Sequence, residues 1–113
     1  MLSSSNRLTT AEDFRHTVRR GRRSGGSLVV VHLVEPNVDK ATSSPTKVGF
    51  VVAKSVGPAV TRNRVKRRLR HLMRERITAL PSGSLLVVRA LPAAAGASSR
   101  DLAGELDRCL GRP

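Results

Sequence analysis

The hydrophobic pattern predicts three strands and one long amphipathic helix in the middle of the chain. Runs rich in β-branched residues at 27–34 (SLVVVHLV) and 47–56 (KVGFVVAKSV) predict two buried strands, the second most simply an antiparallel neighbour of the first. Apolar residues in 59–80 then recur at helical spacing, which predicts an amphipathic helix. After the turn residues PSG, the run at 84–91 (SLLVVRAL) predicts a further buried strand.

Capping signals predict a further helix near each end of the chain. Thr9 or Thr10, followed three residues later by an acidic residue, forms a capping box, and Gly21 ends the helix that it opens. A second capping box at 98–101 opens a last helix, whose apolar stripe includes Cys109. Cys109 is therefore predicted to be a core residue.

The order of these elements predicts a single α+β domain over 1–113. The order is helix, strand, strand, helix, strand, helix, and the turn-like GRRSGG has enough strand character for an extra short strand near 22–26. Such an order is typical of a two-layer sandwich, with helices packed on a small mixed sheet. The polar loop 35–46, which holds two prolines, is predicted to be mobile, as are the ends near 1–6 and 111–113.

Net charge narrows the class of partner. The chain has 21 Lys and Arg against eight Asp and Glu, a formal charge of +13, which is far beyond what solubility needs and predicts a polyanionic partner. No apolar run of roughly 18 residues and no hydrophobic signal core occur, so a soluble, cytoplasmic protein without a membrane partner is expected. With one cysteine and no zinc-site spacing, the protein itself is expected to bind no cofactor.

Positive charge is concentrated in TRNRVKRRLR, residues 61–70. Between 62 and 76 there are seven Arg, one Lys and a single acid, so ion pairs within the helix cannot account for the charge. A solvated helix face is the common alternative, but such a face usually mixes charges of both signs. Arginine forks bind phosphate and stack on bases, which favours nucleic acid over lipid. The residues that project away from the apolar stripe are Asn63, Arg67, Arg70 and Arg74, with Arg64 and His71 beside them.

Asn63 is the one uncharged residue between two arginines of this segment. Its amide offers a donor and an acceptor near the start of the helix, where backbone N–H groups also favour anions. This suits a site that recognises shape as well as charge. The alternative is a residue that only initiates the helix.

The stretch GFVVAKSVGPAVTRNRVKRRLR, residues 49–70, resembles the signature of the protein subunit of bacterial ribonuclease P. That pattern runs strand, Ser/Ala-Lys, Gly-containing turn, Ala-Val and Arg-Asn-Arg, and the likeness extends to NRLTTAEDF (6–14) and LLVVRALPAA (85–94). The resemblance implies a catalytic RNA partner that removes the 5′ leader of precursor tRNA with Mg²⁺, the RNA doing the chemistry. It also implies a left-handed crossover for the strand, helix, strand unit at 47–91.

The resemblance implies two sets of RNA contacts. Phe14 matches a first-helix aromatic in a central cleft that holds the single-stranded leader. Val18 and His32 stand where aromatics are frequent in the family, so stacking on the leader is expected to be weaker, leaving more to Phe14, the His32 imidazole and backbone electrostatics. The alternatives are core packing for Phe14 and an ordinary strand residue at His32. The residues that match the RNA-binding helix and the lysine of the preceding strand end are Arg62, Asn63, Arg64, Lys66, Arg67, Arg70 and Lys54.

No residue pattern indicates catalysis by the protein. A nuclease needs clustered carboxylates or a histidine pair, but the eight acids are scattered, and His16, His32 and His71 lie in three separate segments. An accessory role is therefore expected. The alternative, a ribosomal-type or RNA-chaperone protein, shares the charge and size but does not call for the Lys, turn and Arg-Asn-Arg pattern. A DNA-binding domain would need two helices joined by a short turn, whereas strands flank the basic helix here.

Overall fold

The computed structural model describes residues 4–36 and 45–111. Most of the loop predicted to be mobile and parts of both predicted mobile ends lie outside these residues. Within the described part, a four-stranded sheet is packed between α-helices, and four short 3₁₀ turns link the elements. The helices and strands are α1 (Ala11–Arg20), β1 (Arg22–Gly25), β2 (Val29–Val34), β3 (Lys47–Val52), α2 (Ala59–Arg74), β4 (Leu85–Ala90) and α3 (Ser99–Cys109).

The sheet is mixed and has the strand order β1-β2-β4-β3. β1 pairs antiparallel with β2, and β2 pairs antiparallel with β4, whereas β3 and β4 are parallel. The extra short strand and the mixed sheet are thus confirmed, but the prediction that β3 is the direct neighbour of β2 is wrong. β4 lies between them because Leu86, Val87 and Val88 are fully buried, and a strand buried on both faces belongs in the centre of a sheet. The left hand of the β3-α2-β4 crossover stays a prediction.

The main core lies between the sheet and the layer formed by α2 and α3, as a two-layer sandwich requires. Each fully buried Leu or Val side chain in it stabilises the fold by roughly 1.5–3 kcal/mol relative to an exposed one. α1 packs on part of the opposite face, where Thr17 is fully buried. The core side chains include Val29, Val31, Leu33, Val48, Leu86 and Val88 from the sheet, Val65, Leu69 and Met73 from α2, and Leu102, Leu106 and Cys109 from α3.

Side-chain caps fix the starts of the two terminal helices as predicted. The Asp13 amide donates to Thr10 Oγ1 at 3.1 Å before α1, and the Asp101 amide donates to Ser98 Oγ at 3.0 Å before α3. Each such cap contributes about 1 kcal/mol to helix stability. The sequence pattern therefore located these helices to within a residue of their first turns.

α2 is shorter than its hydrophobic pattern predicted. It ends at Arg74, and Ile77–Ala79 form a separate 3₁₀ turn. The apolar spacing continues to Leu80 because Ile77 and Leu80 still pack against the core from this turn. Arg76 stabilises the helix end, since its Nη1 donates to the Leu72 carbonyl at 2.8 Å and its Nε to Asp107 Oδ1 of α3 at 2.7 Å.

Two other segments differ from expectation at the ends of strands. The strand predicted over 47–56 stops at Val52, because Lys54–Val56 turn into a 3₁₀ segment that buries Val56. The connection after β4, whose sequence PAAAGASS favours a flexible segment, instead forms the 3₁₀ turn Pro92–Gly96 and buries Ala94 completely. Both turns add small apolar side chains to the core beside α2.

One buried carboxylate joins α3 to the β1-β2 hairpin. Glu105 is 3% exposed and accepts hydrogen bonds from three successive amides, those of Ser27 (3.0 Å), Leu28 (2.7 Å) and Val29 (2.6 Å). A Cβ built at Gly26 would collide with this carboxylate, so Gly26 is needed for the close approach. The side chain therefore fixes the turn between β1 and β2 against α3.

Candidate nucleic-acid interface

α2 presents its basic residues because its apolar stripe is fixed in the core. Val65 and Leu69 are fully buried, and the side chains on the opposite side of the helix point outward. Asn63, Arg64 and Arg67 are exposed, as predicted, whereas Lys66 is half-buried. Arg70, also half-buried, and the exposed His71 and Arg74 complete the outward face.

A groove of about 610 Å³ runs along this face. It contains three cationic side chains and no carboxylate, so phosphate is the chemical group that it suits. A second groove of about 410 Å³, between α2 and the start of α3, shares Arg67 and His71 with the first. These two residues therefore form a ridge between two basic grooves. The first groove is lined by Asn63, Lys66, Arg67, Arg70 and His71.

The basic surface continues from α2 around the edge of β3. The Leu8 amide donates to the Val48 carbonyl at 3.0 Å, which lays the N-terminal segment along this edge. A groove of about 250 Å³ there is lined by Arg7 and Phe14 as well as by Lys66 and Arg70 of α2. Lys66 and Arg70 thus connect the α2 grooves with the side of the molecule that carries α1. The sequence pattern did not identify Arg7 as part of this surface.

Lys54 lies before α2 and Arg62 lies in its first turn, and neither lines any of these three grooves. Lys54 is exposed in the turn before the helix. Arg62 Nε donates to the Gly57 carbonyl at 3.2 Å, and Gly57 has a φ of 154°, which a residue with a side chain rarely adopts. Arg62 therefore supports the turn that starts α2. Asn63 is the fifth residue of α2, which begins after Pro58, so the helix-initiating alternative for Asn63 is wrong.

Two arginines counted with the basic run have structural partners. Arg68 Nη1 donates to the Ala97 carbonyl at 3.1 Å and holds the segment before α3. Arg76 pairs with Asp107 across the two helices. The charge available for a ligand on α2 is therefore smaller than the residue count indicates, and it is concentrated at the grooves.

The predicted cleft lies between α1 and the uncovered half of the sheet. The cleft has a volume of about 520 Å³ and is lined by Phe14, Val18, Val51 and Arg89, together with Arg15 and Arg19 of α1. Phe14 is half-buried and packs directly on the β3 backbone, since a Cβ at Gly49 would collide with its ring. Phe14 thus serves the packing and also lines the cleft, and Val18, 38% exposed, lies beside it.

Arg89 is a cleft residue that the sequence pattern did not identify. It is exposed near the C-terminal end of β4 and is paired in register with Val51 of β3 and Val30 of β2. Paired residues on adjacent strands point to the same face of a sheet, so Arg89 stands on the floor of the cleft among apolar neighbours. The available signal was a single charge inside an otherwise apolar strand.

His32 lies under the surface near the cleft and is not among the residues that line its opening. It is 8% exposed, and its Nδ1 is buried without a hydrogen-bond partner in the described part of the protein. Burial lowers the pKa of His32, and the positive charges of Arg89 and Arg23 lower it further. The imidazole is therefore held neutral beside two arginines. The fold brings Phe14 and Val18 together at the cleft, whereas His32 is buried in β2 and does not line the cleft.

The described residues offer no site for a metal ion built by protein side chains. Across 4–36 and 45–111, no three His, Cys, Asp or Glu side chains are grouped so that they could hold one. His16 and His71 are exposed on α1 and α2, and His32 is buried in β2. In the same part of the chain, no helix has the length and apolar character needed to cross a membrane.

Comparison with known proteins gives consistent matches over nearly the whole chain. The family model described as Ribonuclease P matches residues 2–113. A Ribonuclease P protein component from Streptomyces avermitilis is 55% identical over 116 residues, covering 99% of this chain and 94% of the relative. One from Nocardioides sp. is 54% identical over 112 residues, covering 97% and 92%.

Solved structures share the fold. An RNase P protein structure from Staphylococcus aureus has a TM-score of 0.79 at 21% identity, covering 96% of this chain and 94% of that one. One from Thermotoga maritima has a TM-score of 0.77 at 23% identity, covering 95% and 99%. At this identity, the two likenesses confirm the α+β architecture.

Proposed function

Because the chain belongs to the ribonuclease P protein family, we propose that it binds RNA through one continuous basic surface from α2 into the cleft. The family provides the protein component of an endoribonuclease that removes the 5′ leader of precursor tRNA, and this is the role of the chain. It acts as a subunit of a ribonucleoprotein, together with an RNA partner. The ribosomal-type or RNA-chaperone alternative is therefore set aside.

One observation carries the proposal: Lys66 and Arg70 line both the main α2 groove and the groove at the β3 edge. Phe14 in turn lines the edge groove and the cleft. A ligand can therefore follow basic and aromatic side chains from one side of the sheet to the other. Two RNA segments bound at the ends of this path would be held close to each other.

We propose that the α2 grooves bind the catalytic RNA. Arg64, Arg67 and Arg70 would neutralise its phosphates, and the amide of Asn63 would hydrogen-bond to its sugar or base groups. Lys54 is exposed and free to contact RNA near the helix start. Arg62, which already bonds to Gly57, would contribute charge there and keep the helix start in position.

We propose that the cleft binds the leader of the precursor tRNA. Phe14 offers one face for a base, while Arg89 can stack on a base or bind a phosphate from the cleft floor. Val18 and Val51 make the rest of the opening apolar. Because the cleft has a single aromatic ring, it would bind the leader through contacts to the RNA phosphates more than through stacking on its bases. His32 is buried and does not line the opening, so we do not propose that it contacts the leader.

We infer that the RNA carries the chemistry and binds the Mg²⁺ that hydrolysis uses. The basic grooves would repel a bare divalent cation, and the described residues do not fit a protein-held metal. By neutralising phosphates, the protein would lower the cost of bringing the substrate and Mg²⁺ to the same place. A cytoplasmic location, where precursor tRNA is made in bacteria, is part of this proposal.

The test is cleavage of a leader-containing precursor tRNA by the cognate catalytic RNA at low Mg²⁺, with and without the protein. We expect strong stimulation and a correct mature 5′ end. A Lys66→Gln/Arg70→Gln variant should lose most of the stimulation, because both side chains join the two binding regions. Arg100→Gln, which removes one exposed charge at the start of α3, is the control for the loss of a surface charge. Stimulation that survives the double substitution would refute the continuous surface.

A further inference from the structure

The outward face of α1 carries a second concentration of positive charge, of which the proposed surface uses only the two arginines that also line the cleft. Arg15, His16, Arg19 and Arg20 line a shallow groove of about 260 Å³ together with Glu12. Arg15, Arg19 and Arg20 are all exposed, as is His16. These four residues are called the outer face of α1 below.

Ion pairing does not account for this face. In residues 4–36 and 45–111, the ion pairs join Arg76 to Glu75 and Asp107, and Arg108 to Glu105, so α1 takes part in none of them. Arg15 and Arg19 are four residues apart on the helix, a spacing at which like charges repel.

Helix stabilisation explains only part of the face. Basic residues in the last turn interact favourably with the helix dipole, which accounts for Arg19 and Arg20. Arg15 lies in the middle of α1, too far from its end for this effect. Arg22 and Arg23 continue the positive charge beyond the helix into β1, and both are exposed. Stabilisation of the helix end therefore leaves the charges of Arg15, Arg22 and Arg23 without a role.

The outer face is continuous with the cleft and separate from the α2 grooves. Arg15 and Arg19 line both the cleft and the outer groove, whereas His16 and Arg20 line only the outer one. α1 and α2 pack on opposite faces of the sheet, so RNA seated on α2 cannot neutralise these charges directly. An RNA single strand lying in the cleft would contact the charges of the outer face where it passes over α1.

We propose that the outer face of α1 binds the backbone of the RNA single strand upstream of the nucleotides held in the cleft. The ligand is the distal part of the leader, recognised through its phosphates and not through its sequence. This inference rests on the proposed leader-binding cleft. If the outer face binds the leader, the affinity of the holoenzyme for precursor tRNA continues to rise with leader length after the cleft is filled.

The experiment uses the reconstituted holoenzyme and two precursor tRNAs that differ only in leader length. One leader ends within the cleft, and the other extends well past it. Dissociation constants are measured over a range of salt concentrations for the wild type and for His16→Gln/Arg20→Gln, which changes only residues of the outer groove. Arg100→Gln is the matched control, and Arg20→Lys tests whether charge is sufficient. Thermal melting of each variant checks that the fold is kept.

The expected result is a loss of roughly three- to tenfold in affinity for the long leader in the double variant, from one or two exposed contacts. Affinity for the short leader should stay unchanged, and the salt slope for the long leader should fall by about 0.7 per lost phosphate. Arg20→Lys should bind the long leader nearly as the wild type does.

Three results would overturn the inference, and they differ in whether they also contradict the proposed function. If the double variant binds both leaders as the wild type does, the outer face does not bind the leader, and the proposed function is unaffected. An equal loss for both leaders would mean that the face contacts the catalytic RNA or the tRNA body. Wild-type protein that neither stimulates cleavage nor distinguishes leadered from leaderless tRNA would overturn the proposed function as well.

Discussion

At the scale of single residues, His32 combines burial with two neighbouring positive charges. Both lower its pKa in the folded protein, with burial as the larger cause. The unfolded chain therefore takes up the proton first as pH falls. The stability that neutral His32 contributes is complete above the ordinary histidine pKa and is lost as pH falls from there through the lowered pKa of the folded state.

We therefore predict that the protein loses stability as pH falls below the ordinary histidine pKa of about 6.5, and that His32→Phe reduces this loss. Phenylalanine keeps a flat ring in the buried site, cannot be protonated and removes the unpaired Nδ1. The measurement is urea unfolding of the free protein at several pH values, with His71→Gln, an exposed histidine, as the control. An acid dependence in His32→Phe as steep as in the wild type would assign the effect to other groups.

At the scale of elements, α2 should bind RNA through the ridge between its two basic grooves. We predict that Arg64→Ala/Arg67→Ala weakens binding to the catalytic RNA and lowers the slope of log affinity against log salt by about 0.7 to 0.9 per lost contact. Arg67 lines both grooves and Arg64 lines one. Arg100→Ala on α3 is the control for a general loss of charge. A salt slope equal to that of the wild type would show that these arginines do not contact phosphates.

The second element whose position can be tested is α3, which Glu105 fixes to the β1-β2 turn. Glu105→Gln replaces one acceptor oxygen with an NH₂ group that faces backbone N–H donors, and we expect it to lower the free energy of unfolding by about 1–3 kcal/mol. Glu75→Gln, whose side chain is 65% exposed, should have little effect. Chemical denaturation of both variants is the check, and equal stability of the two would mean that the three amides find other acceptors.

The sequence predicted these elements well where a local pattern determines them and poorly where distant contacts do. Thr10 and Ser98 identify helix starts because a cap acts on amides only three residues away. The place of β3 at the sheet edge depends instead on how completely β4 is buried. Likewise, Arg68 and Arg76 look like ligand-binding charges in the sequence, yet both are held by groups on or beside α3. The same limit applied to Arg89, whose exposure depends on which half of the sheet α1 leaves open.

At the scale of the whole molecule, the net charge of +13 is carried by a body only 42 × 31 × 25 Å in extent. Positive side chains lie along α2, at the β3 edge, in the cleft and on α1. Like charges four residues apart, such as Lys66 and Arg70 or Arg70 and Arg74, each cost roughly a few tenths of a kcal/mol. The free protein is therefore expected to be only marginally stable, and RNA removes the repulsion when it binds.

This repulsion predicts that small polyvalent anions stabilise the free protein by occupying the basic grooves. Sulfate or phosphate should raise the melting temperature relative to chloride at equal ionic strength, because an anion that binds the folded state alone shifts the folding equilibrium. Sulfate also strengthens apolar burial in any protein, so the informative quantity is the difference from Lys66→Gln/Arg70→Gln. The variant should melt higher than the wild type in chloride, since it carries less like charge, and gain less from sulfate. An equal gain in both proteins would mean that the anion acts through the solvent and that the grooves bind nothing smaller than RNA.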